Sequence, residues 1–332
     1  MAENDALTPQ TEREKLLESF MEAAARASGT RLNKVLVVIS SPEMVEGLVS
    51  LAARLCRPGD IVVALKIVLV APSALLSDAQ RQAKLARRFR DLMQLAVKHG
   101  EKSGVKVETV LHVAYDIASG IVESVNNRSD ARLLLLGWSG PARHSHPGVD
   151  ICKKVMRDAQ CDVTVFLDRG LTDSRRVLVP VGGGPHARLG LRLAADLVKD
   201  KAAELVVLRV MNEKVTDITS EQAIVEELIR NEMGKRSNDL TVLPRVTRSE
   251  SVVEGILDET KLGYDLLVIG ASEEGLLRHW LFGSIPAAIA SRTPCSMLLV
   301  RKYESSPVLW IQRVFRHILG SRPRIKRDGK NN

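Results

Sequence analysis

Along this chain, apolar residues gather in short continuous runs separated by stretches of helical period, and the whole pattern occurs twice. Lys34-Val-Leu-Val-Val-Ile-Ser-Ser, β-branched and leucine residues ending in small polar ones, reads as a buried strand. It returns 142 residues later as Arg176-Val-Leu-Val-Pro-Val-Gly-Gly. Each copy continues with a helical pattern (44–55 and 187–198), a second strand (61–68 and 205–210) and a long charged helix (78–103 and 220–237). A third strand (105–113 and 240–246), another helix and a fourth strand (132–137 and 265–270) follow, and each copy closes on a fifth strand (161–166 and 295–300). Strands that are apolar throughout and alternate with helices imply parallel sheets covered on both faces. With right-handed crossovers the pattern predicts an α/β fold of two doubly wound domains, each on a five-stranded parallel sheet. The boundaries that follow are an N-terminal segment at 1–30, a first domain at 31–170, a second at 171–302 and a tail at 303–332.

Composition narrows the class. A 332-residue chain with 45% hydrophobic residues has room for two globular cores. Its longest apolar stretch, 61–71, is interrupted by Lys66 and is shorter than the ~18 residues of a membrane span. The first residues, Met-Ala-Glu-Asn-Asp, lack the basic and apolar regions of a secretory signal, so a cytoplasmic protein is expected. The four cysteines, at 56, 152, 161 and 295, form no CxxC pair and no zinc spacing, which predicts reduced thiols and no metal site. The net charge of +8 is concentrated at one end: residues 301–332 hold nine Lys/Arg against Glu304 and Asp328. A nearly balanced body with 3% aromatic residues gives no sign of a nucleic-acid surface.

In a doubly wound fold, ligands sit at the carboxyl ends of the strands where strand order reverses, beside the loops after the first and fourth strands. In the second copy the first of these is Pro180-Val181-Gly182-Gly183-Gly184-Pro185-His186, where glycines allow close approach of backbone to a ligand or simply make a turn. The second is Gly270-Ala-Ser-Glu-Glu-Gly-Leu-Leu-Arg-His-Trp-Leu-Phe-Gly-Ser284, in which Ser284 is a good N-cap and Pro286 suits a first helical turn. A helix start there offers free N–H groups to an anion. Glu273 and Glu274 work against that use. His144-Ser145-His146 has no acidic or sulfur ligand beside it before Asp150, and Ser284, His279 and Glu274 share one loop, so no catalytic set can be named and enzyme activity is not expected.

These loops and strands resemble the universal stress protein family over 34–168 and 176–302. Members that bind ATP carry Gly, two residues, Gly, nine residues, then Gly-Ser or Gly-Thr after the fourth strand. Here Gly270 and Gly283-Ser284 have that separation, while Glu273 replaces the middle glycine. The aspartate that the family tends to have after the first strand is Gly182 here. The resemblance implies strand order 3-2-1-4-5, an adenine nucleotide alpha hydrolase-like fold, and domains paired through the fifth strand as an intramolecular pseudo-dimer or a homodimer. It also implies ATP or another adenine nucleotide in the second domain. Val181 and Val210 would flank adenine, and Gly270, Ser272, Gly283 and Ser284 would face ribose and phosphates, with Pro180, Gly182, Gly183, Gly275 and Ile285 completing the site. The first copy keeps Gly137-Trp-Ser-Gly140 but has Asp150-Ile151 where Gly-Ser belongs, and a carboxylate capping that helix start would occupy the phosphate position itself.

Two readings of function stay open: a non-enzymatic, nucleotide-responsive stress regulator, or a ligand-free interaction module. Residues 16, 17, 20, 21 and 24 form an apolar helical stripe near the N-terminus. In the tail, Val308, Ile311, Val314, Phe315 and Ile318 form another, with Trp310 and a basic end. Such a tail suits docking on the second domain or on an anionic membrane surface. The Glu-Glu-Gly and Gly-Ser-Ile-Pro loop resembles stress-protein modules attached to prokaryotic transporters, which makes a transporter the expected kind of membrane partner.

Overall fold

The computed structural model describes residues 33–70, 79–140, 147–198, 202–213, 217–234, 239–271 and 285–304, with backbone alone for 79–88, 147 and 285–287. The chain forms two compact units, Met1–Lys302 and Tyr303–Asn332. The N-terminal stripe, the His-Ser-His stretch, the loop 272–284 and the tail segment from 305 lie outside the described residues.

The first unit alternates strand and helix as the pattern predicts. Its elements run β1 Lys34–Val38, a 3-10 turn Pro42–Met44, α1 Val45–Leu55, β2 Ile61–Leu69, α2 Ala79–Lys102, β3 Val107–Ala114, α3 Ile117–Asn126, β4 Ala131–Trp138, α4 Pro147–Asp158 and β5 Asp162–Leu167. They continue with β6 Arg176–Pro180, α5 Gly184–Leu197, β7 Glu204–Asn212, α6 Ile218–Met233, β8 Thr241–Ser249, α7 Val252–Thr260, β9 Leu266–Gly270, α8 Ile285–Arg292 and β10 Ser296–Arg301. Helix starts follow local chemistry: Asp116, Asp217 and Ser251 each accept a hydrogen bond from an N–H in the first turn of α3, α6 and α7.

The strands build one sheet in the order β3-β2-β1-β4-β5-β10-β9-β6-β7-β8. Each half is parallel and has the order 3-2-1-4-5. The halves join at β5 and β10, which pair antiparallel from Met297 opposite Leu167 to Arg301 opposite Val163. Arg301 strengthens the seam by donating to the carbonyls of Ala159 and Cys161 at 2.9 and 3.0 Å. One apolar cluster lies under α1, α2, α5 and α6, and a second under α3, α4, α7 and α8 on the other face. The interior strands are buried on both faces, so alternate residues of each run enter opposite clusters; this is why they read as apolar throughout.

Asp150 departs from its expected role. α4 begins at Pro147, which puts Asp150 three residues inside the helix and exposed, so it is not the residue that caps the helix start. The proline, compatible with the first helical position, sets that boundary.

Candidate functional site

The switch point of the second half lies between β6 and β9, and these strands part early. Their register contains only Val177 opposite Leu266 and Leu178 opposite Leu267. In the first half, β1 and β4 stay paired through Val38 and Leu136. Pro180 supplies the cause. The N–H of Val181 donates to the carbonyl of Leu208 on β7, at 2.8 Å, so strand alternation turns the nitrogen of residue 180 toward β9. Proline has no hydrogen there to donate. Val38 occupies the corresponding place in the first half and keeps its donor.

Beyond the parted strands the chain makes an open cradle. A Cβ built on Gly182, Gly183 or Gly184 meets no atom of the described residues within 4 Å. Gly183 and Gly184 have φ of +90° and +78°, a conformation that favours glycine strongly. α5 begins inside this glycine run, earlier than the predicted residue 187, and its N-cap Gly183 has no side chain with which to satisfy the first-turn donors. Among the described residues no side chain caps the first turn of α5, and Gly182 places no carboxylate beside it.

Gly270 closes the other side for a steric reason. A Cβ there would lie 2.6 Å from the nitrogen of Ala187 and 2.7 Å from the carbonyl carbon of His186. The end of β9 thus abuts the backbone of α5. His186, in the same turn, accepts at Nδ1 from the N–H of Lys302 at 3.0 Å, tying the exit of β10 to this helix start.

Val181 and Val210 enter different apolar clusters, on the two faces of the sheet. Val210 packs on α7 so closely that a Cβ on Gly255 would lie 2.6 Å from its Cγ1. Ile285 opens α8. Ser272, Gly275, Gly283 and Ser284 lie outside the described residues. The structure therefore brings Pro180, Val181, Gly182, Gly183 and Gly270 together around one crevice.

Sequence reasoning passed over Arg209. It donates through Nε to Glu221 at 2.9 Å, and through Nη1 to the carbonyl of Val181 at 3.5 Å. Lys66, at the same place in β2, donates to the carbonyl of Ser40 at 2.7 Å. A cation recurring in the same position of two otherwise apolar strands was the available signal. Each half uses it to hold the carbonyls of its first-strand exit.

The corresponding crevice of the first half is filled. Met44, 142 residues before His186, lies against Gly137, the counterpart of Gly270; a Cβ on Gly137 would fall 2.2 Å from the methionine methyl carbon. Leu48 stands next to it at 3.1 Å. Among the described residues no group of three His, Cys, Asp or Glu could hold a metal ion. Burial pushes the thiols of Cys152 and Cys161 up to about 12, so neither is a thiolate at neutral pH.

A doubly wound sheet with a glycine-lined crevice at its switch point defines a class of α/β ligand-binding folds. Within that class, residues 174–301 match the model of the universal stress protein family. A protein of Staphylococcus haemolyticus named as a universal stress protein is 23% identical over 143 residues, covering 39% of this chain and 86% of the relative. Among solved structures, a universal stress protein from Archaeoglobus fulgidus superposes with a TM-score of 0.62 at 16% identity, covering 83% of this chain and 98% of that one. The cytoplasmic domain of a prokaryotic cation chloride cotransporter superposes with a TM-score of 0.56 at 13% identity, covering 84% and 99%. Among the described residues no helix is long and apolar enough to cross a membrane.

Proposed function

We propose that the second half binds an adenine nucleotide, ATP or a relative of it, and acts as a nucleotide-responsive regulator rather than as an enzyme. The observation that carries this reading is the asymmetry of the two switch points. One is closed by Met44 over Gly137; the other is parted at Pro180 and lined by Gly182, Gly183 and Gly184. Backbone donors at the start of α5 suit a phosphate oxygen, and among the described residues no side chain caps them. An adenine over the edge between β6 and β7 would have Val181 toward one face and Val210 toward the other. Gly270, with Ser272, Gly275, Gly283, Ser284 and Ile285 of the following loop and helix start, would complete the ribose and phosphate side.

The second reading is a ligand-free interaction module in which the crevice is only a feature of the fold. Glu273 in the loop favours it, as does the use of this fold as the cytoplasmic domain of a cotransporter, which fits a soluble partner of a membrane protein. Calorimetry with ATP, ADP and AMP separates the two. The regulator binds at least one of them with Kd below about 1 mM, and Gly182→Leu, which fills the cradle at a position without positive φ, abolishes the heat while leaving the circular dichroism unchanged. No binding below that concentration by the unaltered chain leaves the interaction module standing.

A further inference from the structure

On one face of the sheet the two halves meet through the carboxyl ends of their helices. Arg54, in the last turn of α1, donates through Nη2 to the carbonyl of Leu197 at the end of α5, at 2.8 Å. Beside this junction lies a cleft of about 890 Å³. Both halves line it in matching places. Ala53 and Cys56 at the end of α1 have Ala195 and Val198 as counterparts 142 residues on, and Val105 ahead of β3 has Leu240 ahead of β8. Cys56, Val105 and Leu240 pack on the apolar cluster beneath and are only half-buried by the described residues. Apolar surface at the joint between two halves favours any segment that removes it from water.

The chain carries such a segment, attached at the right point. The described residues begin at Asn33, whose carbonyl accepts from the N–H of Ile61 at 3.2 Å. Ile61 directly follows Asp60, which lines the cleft, so residues 1–32 join the body at the cleft's rim. Residues 16, 17, 20, 21 and 24 are Leu, Leu, Phe, Met and Ala, and helical period places them on one side of a helix. The stretch from Ala24 to Asn33 reaches up to ~30 Å when extended, enough to turn that helix back over the body. Half of a helix ~10 Å wide and ~13 Å long, the length of 16–24, fills roughly 500 Å³, which the cleft accommodates.

Charge selects the same segment. Arg57 on the first-half wall is exposed, and its side chain has no partner among the described residues. Glu14 and Glu18, one helical turn apart, border the apolar stripe on the side of Leu17 and Met21. Along 16–26 the other border is Ser19, Ala23 and Arg26, which has no carboxylate to oppose Asp239 on the second-half wall. An amphipathic helix with its apolar side in a groove and its charged borders on the walls is a recurrent mode of docking.

We infer that the cleft is the docking site of this chain's own N-terminal segment, which lies in it as a helix with residues 16, 17, 20, 21 and 24 inward and clasps the two halves. Cys56 makes this testable in the full-length chain, since it is half-buried in the cleft while Cys152, Cys161 and Cys295 are buried. Phe20→Cys, in the middle of the stripe, should form a disulfide with Cys56 within one chain under mild oxidation, about tenfold faster than Glu22→Cys on the opposite side of the helix. Phe20→Asp should speed alkylation of Cys56 by about tenfold and leave the circular dichroism of the body intact. Arg57→Glu should speed it by about threefold, and Glu18→Arg added to that variant should restore protection. Equal cross-linking of the two cysteine variants, a disulfide that joins two chains instead of closing within one, alkylation indifferent to Phe20→Asp, or a charge swap that restores nothing would each overturn the inference.

Discussion

The two halves share strand order, helix placement and even the cation in the second strand, yet they differ where ligands bind in such folds. In the first half the switch point is occupied from within. Met44 lies on Gly137, and β1 and β4 remain paired to the end of β1. In the second, a proline removes one ladder donor, the strands part, and no side chain of the described residues comes within 4 Å of a Cβ on the glycine run. The lesson is that the fold tolerates both states at similar architecture. What differs is one proline, three glycines, the residue at the first helical turn, and a 3-10 turn at Pro42–Met44 where α5 has already begun.

The sharpest way to break this comparison is to crowd both glycines at the strand ends. Gly270→Ala pushes a Cβ into the backbone of α5, which cannot swing aside, and should cost about 3 kcal/mol in urea unfolding. Gly137→Ala meets the far end of a methionine, which can rotate away, and should cost about 1 kcal/mol. Equal losses would show that the two ends are packed alike after all. Pro180→Val should act in the opposite direction. Restoring the donor toward β9 lets the strands pair further, raises stability by about 1 kcal/mol and slows amide exchange at the end of β6. The same change should weaken any nucleotide binding by narrowing the crevice.

The smallest effect concerns alkaline pH. Tyr264 in the second half stands where the first has Ala131; burial and then its 2.6 Å hydrogen bond to Glu259 push its phenol up to about 12. A raised pKa means that the folded state holds the proton more tightly, so the stabilisation is complete below the unfolded value near 10 and is lost as pH rises toward 12. Unfolding of the unaltered chain between pH 9 and about 12 should therefore show a decline that Tyr264→Phe lacks. Absorbance titration should find one tyrosine lagging the others.

Much of the fold could be read from the chain because strands buried on both faces leave continuous apolar runs, and the 142-residue offset exposed the repeat. The seam at β5 and β10 followed from family resemblance and not from any pattern of alternation, since both strands are as apolar as the interior ones. The site was less readable for physical reasons. Pro180 looks like the end of a strand, and its consequence appears only when β9 is placed beside it. Met44 closes the first crevice through a contact spanning 93 residues, which helical period cannot reveal. Asp150 was assigned to a helix start by spacing, and the actual start at Pro147 moved it into the helix body. Gly270 was read as a ligand-facing glycine; its first obligation is to let two backbones touch.

The antiparallel seam has one more consequence. A symmetric dimer of separate chains must present two identical crevices, because any change in one appears in the other. With β5 and β10 joined through a single polypeptide, that constraint disappears. The segment between Leu167 and Arg176 keeps the partners together at an effective concentration of roughly millimolar, so the seam itself need not be strong. Each half is then free to drift on its own: one can turn its crevice into core while the other keeps it open. The seam also reverses strand direction, so the carboxyl ends of the strands in the two halves point to opposite ends of the strand axis. A molecule built in this way has a sealed end and an open end, and whatever enters the open one is counted once per chain.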